Sequence, residues 1–162
     1  MSDNIKILLI GHSGSGKSAC RRYLGLPETA EMDSALGTEK APSYKEAIDW
    51  VSLNVNPICV MSVHKETLIE LSAQRVKNQE AFKNIIIIYL HKDKTKLTEH
   101  LQLSPDEGER MRDSENIWSA LNNYEELDQI FSELSDTRIE VADISISEVA
   151  KQIISRLDGR EK

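Results

Sequence analysis

Near the start of the chain, Ile5-Lys6-Ile7-Leu8-Leu9-Ile10 runs without a break into Gly11-His12-Ser13-Gly14-Ser15-Gly16-Lys17-Ser18. The first six residues have the apolar content of a strand buried on both faces. The next eight satisfy G-x-x-x-x-G-K-[ST] at every specified position, and residues 19–24 can continue as a helix. A strand, a glycine-rich turn and a helix in that order form a cradle for phosphate. The glycines let the backbone turn sharply, so that successive N–H groups face an anion. The helix that follows adds the positive end of its dipole. In such a loop Lys17 reaches the terminal phosphates and the Ser18 hydroxyl ligates magnesium. Gly11, His12, Ser13, Gly14, Ser15, Gly16, Lys17 and Ser18 are therefore the expected phosphate-binding residues.

In a chain of 162 residues, four specified positions match by accident on the order of one per cent of the time at average composition. The apolar run before the motif and the helix-compatible run after it lower that chance further. A nucleoside triphosphate is thus the first expected partner. The length suits one domain with a substantial core. A net charge of −7 argues against a dedicated nucleic-acid surface, which needs clustered Lys and Arg. No apolar run approaches the ~20 residues that span a bilayer, and residues 5–10 are too short for a signal-peptide core. The expectation is a cytoplasmic protein. Cys20 and Cys59, the only cysteines, lie in apolar surroundings and read as small buried residues rather than a disulfide. The histidines at 12, 64, 91 and 100 have no zinc spacing.

Further along, short apolar runs alternate with longer helical patterns, which predicts an α/β fold with a parallel sheet covered on both faces. Gly25-Leu26-Pro27 breaks the pattern after the first helix. Strands are expected at residues 5–10, 29–32, 57–63, 84–90 and 138–141. Helices are expected at residues 19–24, 44–53, 65–79, 94–101, 117–134 and 145–157, the last capped by Ser145 or Ser147. Residues 34–43 read as an irregular connection. Residues 103–116 have almost no apolar periodicity and read as an exposed excursion carrying Arg110 and Arg112. Five strands then place the phosphate loop at the carboxyl edge of the sheet, where such folds bind ligands.

Gly11-x-x-Gly14-x-Gly16-Lys17-Ser18 at the start, Asp33 closing the second strand and an arginine-bearing loop late in the chain resemble the small P-loop kinases. That group includes the shikimate, gluconate and nucleoside monophosphate kinases. The resemblance spans the layout of nearly the whole chain, but only the phosphate loop is sharp at residue level. It implies a single three-layer P-loop NTPase domain over residues 1–162, with a five-stranded parallel sheet. It implies ATP and Mg2+ as cofactors and transfer of the γ-phosphoryl group to a small-molecule or nucleotide acceptor. Lys17, Asp33, Arg110 and Arg112 would be catalytic, with Ser18 and Asp33 on the metal side. Residues 103–116 would form a lid whose guanidinium groups stabilise charge on the transferring phosphoryl oxygens. Asp143, Ile144 and Ser145 would lie near the base.

Each assignment has a plainer counterpart. Asp33 equally suits the first position of a turn, and Arg110 and Arg112 sit among acidic neighbours with which they can simply pair. His64 and Lys65 follow the third strand, where they either meet an anionic acceptor or merely end the strand. Arg75 reads as a surface side chain, and His12 needs no role. Residues 34–56 carry no arginine, only Lys40 and Lys45, whereas the resembled kinases build their acceptor site there. A second reading is therefore a nucleotide-binding regulatory or interaction protein without an acceptor site. A GTPase fits poorly: Asp33 to Gly37 is one residue too long for D-x-x-G. His91-Lys92-Asp93-Lys94 has His for Asn and its Asp one place early for N-K-x-D. No strand ends in the acidic signature of a motor ATPase.

Overall fold

β1 (Lys6–Ile10) is buried along its whole length, and its side chains divide by alternation. Ile7 and Leu9 point into one apolar cluster, Leu8 and Ile10 into another on the opposite face, as a period of two demands. The computed structural model describes residues 5–12, 15–36, 42–61, 63–97 and 123–160. β2 (Ile58–Val60) and β3 (Ile85–His91) flank β1, and β4 (Thr137–Glu140) lies outside β3, giving the order β2-β1-β3-β4. All pairings are parallel, with Leu9 opposite Val60, Ile10 opposite Tyr89 and His91 opposite Glu140.

Parallel neighbours need crossovers, and helices supply them on both faces. α3 (Tyr44–Leu53), α4 (Lys65–Lys77) and α5 (Tyr124–Leu134) join the face carrying Leu8, Ile10, Ile87 and Tyr89. Ala47, Ile48 and Val51 of α3 are its buried stripe, as the spacing predicts. Its start is set by a capping box: Glu46 N–H donates to Ser43 Oγ at 3.1 Å and Ser43 N–H to the Glu46 carboxylate at 2.9 Å, satisfying two donors that a helix end leaves open. α1 (Lys17–Tyr23) and α6 (Ile146–Arg160) cover the face carrying Ile7, Leu9, Ile88 and Leu90, through Cys20, Val149 and Ile153. The three-layer α/β architecture is as expected.

The strand count is not. Among the described residues the sheet has four strands, and the strand expected at residues 29–32 does not form. Glu28–Ala30 is a single turn of 3-10 helix, Glu31 makes one parallel bridge to Val60, and α2 (Met32–Leu36) begins immediately. The cause is local. The carbonyls of Pro27, Glu28 and Glu31 accept from Ala30, Glu31 and Ala35, so they are committed to turns rather than to a ladder. The amides of Asn54 and Asn56 hold Thr29 from the side, through its carbonyl at 3.0 Å and its hydroxyl at 3.3 Å. Ala, Glu and Met also favour helix over strand. What remains of a fifth strand is one residue, and it lies beyond β2 at the sheet edge.

The other elements keep their expected places with ends moved by a few residues. The expected helix at 94–101 is described only over 94–97, and that at 117–134 only over α5. The excursion at 103–116, with Arg110 and Arg112, lies outside the described residues, as do Ser13 and Gly14. Cys20 and Cys59 are free and buried, and burial pushes both thiols up to about 11, which disfavours the thiolate at neutral pH. Among the described residues no helix is long and apolar enough to cross a membrane.

Candidate functional site

Because every strand runs the same way, their carboxyl ends share one edge, and the segments leaving them converge there. Gly11 and His12 follow β1, His64 follows β2, Lys92 follows β3, and residues 141–145 follow β4. The phosphate loop is built for close approach. Gly11 has φ +155°, and a Cβ there would stand 2.8 Å from the Leu90 carbonyl oxygen and 2.8 Å from Ser15 Oγ. Gly16 takes the left-handed conformation at φ 98°, ψ 13° and starts α1 without a side-chain cap. That leaves the first N–H groups of α1 turned toward the loop, the arrangement that receives an anion.

Lys17 lies over this turn, buried at 8 % exposure. Its ammonium donates to the Gly11 carbonyl at 2.6 Å and the His12 carbonyl at 2.9 Å. The Ser15 N–H donates to the His12 carbonyl at 3.0 Å, while Ser15 Oγ is buried with no hydrogen-bond partner among the described residues. A buried hydroxyl left unsatisfied inside a loop of this shape fits a site completed by an external acceptor.

Ser18 supplies a feature that the sequence reading missed. Its hydroxyl donates to Glu31 Oε1 at 2.8 Å, and the other oxygen of Glu31 pairs with Arg21 Nε. Arg21 is itself buried and also donates to the Leu26 carbonyl at 2.7 Å. A hydroxyl and a carboxylate oxygen side by side are the hard donors that Mg2+ takes. The carboxylate beside Ser18 is thus Glu31, not Asp33. Asp33 does not close a strand; it lies in the first turn of α2, with Oδ1 at 3.2 Å from His64 Nε2. The E-x-D spacing of Glu31 and Asp33 was the available signal. With residues 29–32 read as a strand, Glu31 passed as an ordinary strand residue.

His12 has a definite place. The imidazole is 1 % exposed, stacks on the Tyr124 ring at 4.2 Å and 7°, and meets Phe131 edge-on at 5.1 Å. Burial foremost, then the Lys17 charge and, to a lesser degree, His91 hold its pKa down at about 4 against opposing pulls from Asp128 and Glu125. The unfolded chain takes this proton near pH 6.5, before the folded one does. Stability is therefore fully present above 6.5 and lost as pH falls toward 4, by about 3 kcal/mol at the lower end. Urea unfolding at pH 7 and pH 4.5 should show that loss in the wild type and a smaller one in His12→Phe. Equal losses would mean that His12 is not held neutral by burial.

The remaining expected residues divide. Lys65 pairs with Glu126 on α5 at 2.6 Å. Arg75 is not a loose surface group: it ties α4 to Asp136 and the Leu134 carbonyl and lies over the Phe82 ring. Asp143, Ile144 and Ser145 form the turn before α6, and the Ser145 hydroxyl accepts from Glu148 N–H at 3.2 Å as the helix cap. Beside the loop, Tyr89 donates to Asp128 at 2.6 Å, and His91 Nδ1 lies 2.8 Å from Glu140 Oε1.

This arrangement of a parallel sheet, a glycine-rich loop and a helix with Lys-Ser at its start defines the fold of the small P-loop kinases. Solved structures with that fold match the chain almost end to end. A shikimate kinase from Bacteroides thetaiotaomicron has a TM-score of 0.58 at 11% identity, covering 95% of this chain and 98% of that one. A shikimate kinase from Aquifex aeolicus has a TM-score of 0.53 at 20% identity, covering 97% and 98%. A gluconokinase from Sinorhizobium meliloti has a TM-score of 0.52 at 16% identity, covering 98% and 98%. The resemblance read from the phosphate loop thus holds for the fold. No protein-family model matches the chain, and no curated protein matches it in sequence.

Proposed function

We propose that the chain is an ATP- and Mg2+-dependent phosphotransferase that moves the γ-phosphoryl group to a hydroxyl of a small molecule or nucleotide. The observation that carries this is the loop itself, in which Gly11 leaves no room for a side chain, Lys17 overlies the turn and Ser15 Oγ has no partner among the described residues. In this reading the N–H groups of the loop and of α1 bind the phosphates, and Lys17 turns its ammonium from the loop carbonyls to the terminal phosphates. Ser18 and Glu31 hold the metal, with Arg21 keeping the Glu31 carboxylate in place. Bound magnesium would neutralise charge on the phosphate oxygens.

Asp33 is the carboxylate on the acceptor side, oriented by His64, where it takes the proton of the attacking hydroxyl. Arg110 and Arg112 are the guanidinium groups of the lid and stabilise the transferring phosphoryl group. The reading brings with it a cytoplasmic location, where nucleoside triphosphates are held.

Asp33→Asn separates binding from transfer. Calorimetric affinity for Mg2+–ATP should stay within about twofold of wild type, while phosphoryl transfer falls by about a hundredfold or more, the usual range for a lost general base. The acceptors to screen are sugars, nucleotides and shikimate-like acids. Equal losses of binding and transfer would remove Asp33 from the acceptor side. The short, arginine-free segment at residues 34–56 supports a second reading, a nucleotide-binding regulatory protein. That reading gains if ATP binds and no acceptor in the panel is phosphorylated.

A further inference from the structure

His12 occupies a position where the phosphate-loop pattern accepts any residue, yet it is among the most buried polar side chains described. Its backbone and side chain work in opposite directions. The carbonyl accepts from Lys17 and from Ser15, and so helps set the shape of the loop. The ring leaves the loop and enters a pocket made by Tyr89 of β3 and by Tyr124 and Phe131 of α5. That pocket is itself fixed. Tyr89 donates to Asp128 at 2.6 Å and Tyr124 to the Lys92 carbonyl at 2.7 Å. The ring nitrogen Nε2 has no hydrogen-bond partner among the described residues, and the ring contacts above are aromatic.

We propose that His12 is a positioning residue: its ring pegs the phosphate loop to α5, so that loop order and α5 order rise and fall together. The physical basis is that packed cores hold discrete arrangements rather than deforming smoothly. A loop ordered by a bound nucleotide seats the ring, and a seated ring completes the pocket on α5. α5 in turn reaches the acceptor edge, since Glu126 pairs with Lys65 at the start of α4, next to His64 and Asp33. The nucleotide half of this inference rests on the reading proposed above; the loop-to-helix coupling does not.

Amide hydrogen exchange on the full chain tests both halves. Without nucleotide, His12→Ala should speed exchange at residues 15–17 and at 127–134 alike. Tyr124→Leu, which removes the ring, should do the same, and the double variant should add little, as coupled neighbours do. Tyr124→Phe keeps the ring, removes only the hydroxyl with its contacts to the Lys92 carbonyl and His91 Nε2, and should stay near wild type. With saturating Mg2+–ATP, α5 should become protected in wild type and in His12→Phe, but not in His12→Ala. The Mg2+–ATP affinity of His12→Ala should be about fivefold to tenfold weaker, the worth of a stacked aromatic pair. Additive effects of His12→Ala and Tyr124→Leu on exchange overturn the coupling whether or not ATP binds. So does ATP protection of α5 in His12→Ala equal to wild type, or a His12→Phe that behaves like His12→Ala.

Discussion

Lys17→Ala is expected to weaken Mg2+–ATP binding by about a hundredfold or more, since each charge-assisted hydrogen bond to phosphate is worth about 1.5–3 kcal/mol. The side chain is buried over the loop, with its ammonium 2.6 Å from the Gly11 carbonyl and 2.9 Å from that of His12. The ammonium can lie on those carbonyls or turn to a bound phosphate. The second is the stronger contact, because a phosphate brings full negative charge to a buried ammonium. Folding should suffer much less than binding. Calorimetry with Mg2+–ATP, paired with thermal unfolding of the free chain, separates the two. Wild-type affinity in Lys17→Ala would remove the residue from the phosphate site.

Glu31→Ala should cost both stability and metal dependence. One oxygen of this carboxylate accepts from Ser18 and the other faces buried Arg21. Removing it leaves a guanidinium without its carboxylate, and breaking a pair in that setting costs about 3 kcal/mol, the lower end for buried pairs. Arg21 keeps its bond to the Leu26 carbonyl, which limits the damage. Glu31→Gln preserves the shape and retains an acceptor for Ser18, so it should unfold closer to wild type. The metal effect should survive in Glu31→Gln: magnesium ought to improve ATP affinity less than in wild type, because a neutral amide attracts the cation poorly. Asp33→Asn, whose carboxylate faces His64 instead, should leave that magnesium response intact. If Glu31→Gln and wild type respond to magnesium alike, Glu31 plays no part on the metal side.

These residues also mark where sequence reading stops. The strand at residues 5–10 and the loop after it were legible because both signals are local. An apolar run predicts burial on two faces, and the spacing of Gly11, Gly16 and Lys17 carries its chemistry wherever it folds. Residues 29–32 failed for a non-local reason. Asn54 and Asn56 hold Thr29 from across the chain, a contact that no propensity in the segment announces, and the turn carbonyls are then unavailable to a ladder. With that segment taken as a strand, the contact between Glu31 and Ser18 went unseen. His12 was set aside as a variable loop position because its partners, Tyr124 and Phe131, lie more than a hundred residues away. What surrounds a residue from distant elements decides burial and pairing, and periodicity does not encode it.

In the proposed function, the loop from Gly11 to Ser18 holds the phosphates of a nucleotide. Titrating Mg2+–ATP into isotopically labelled protein and following backbone amides by NMR tests it most directly. Saturable shifts are expected centred on residues 11–18, spreading to Glu31 and α5, and lost in Lys17→Ala. No saturable shift in that loop at millimolar Mg2+–ATP would contradict it.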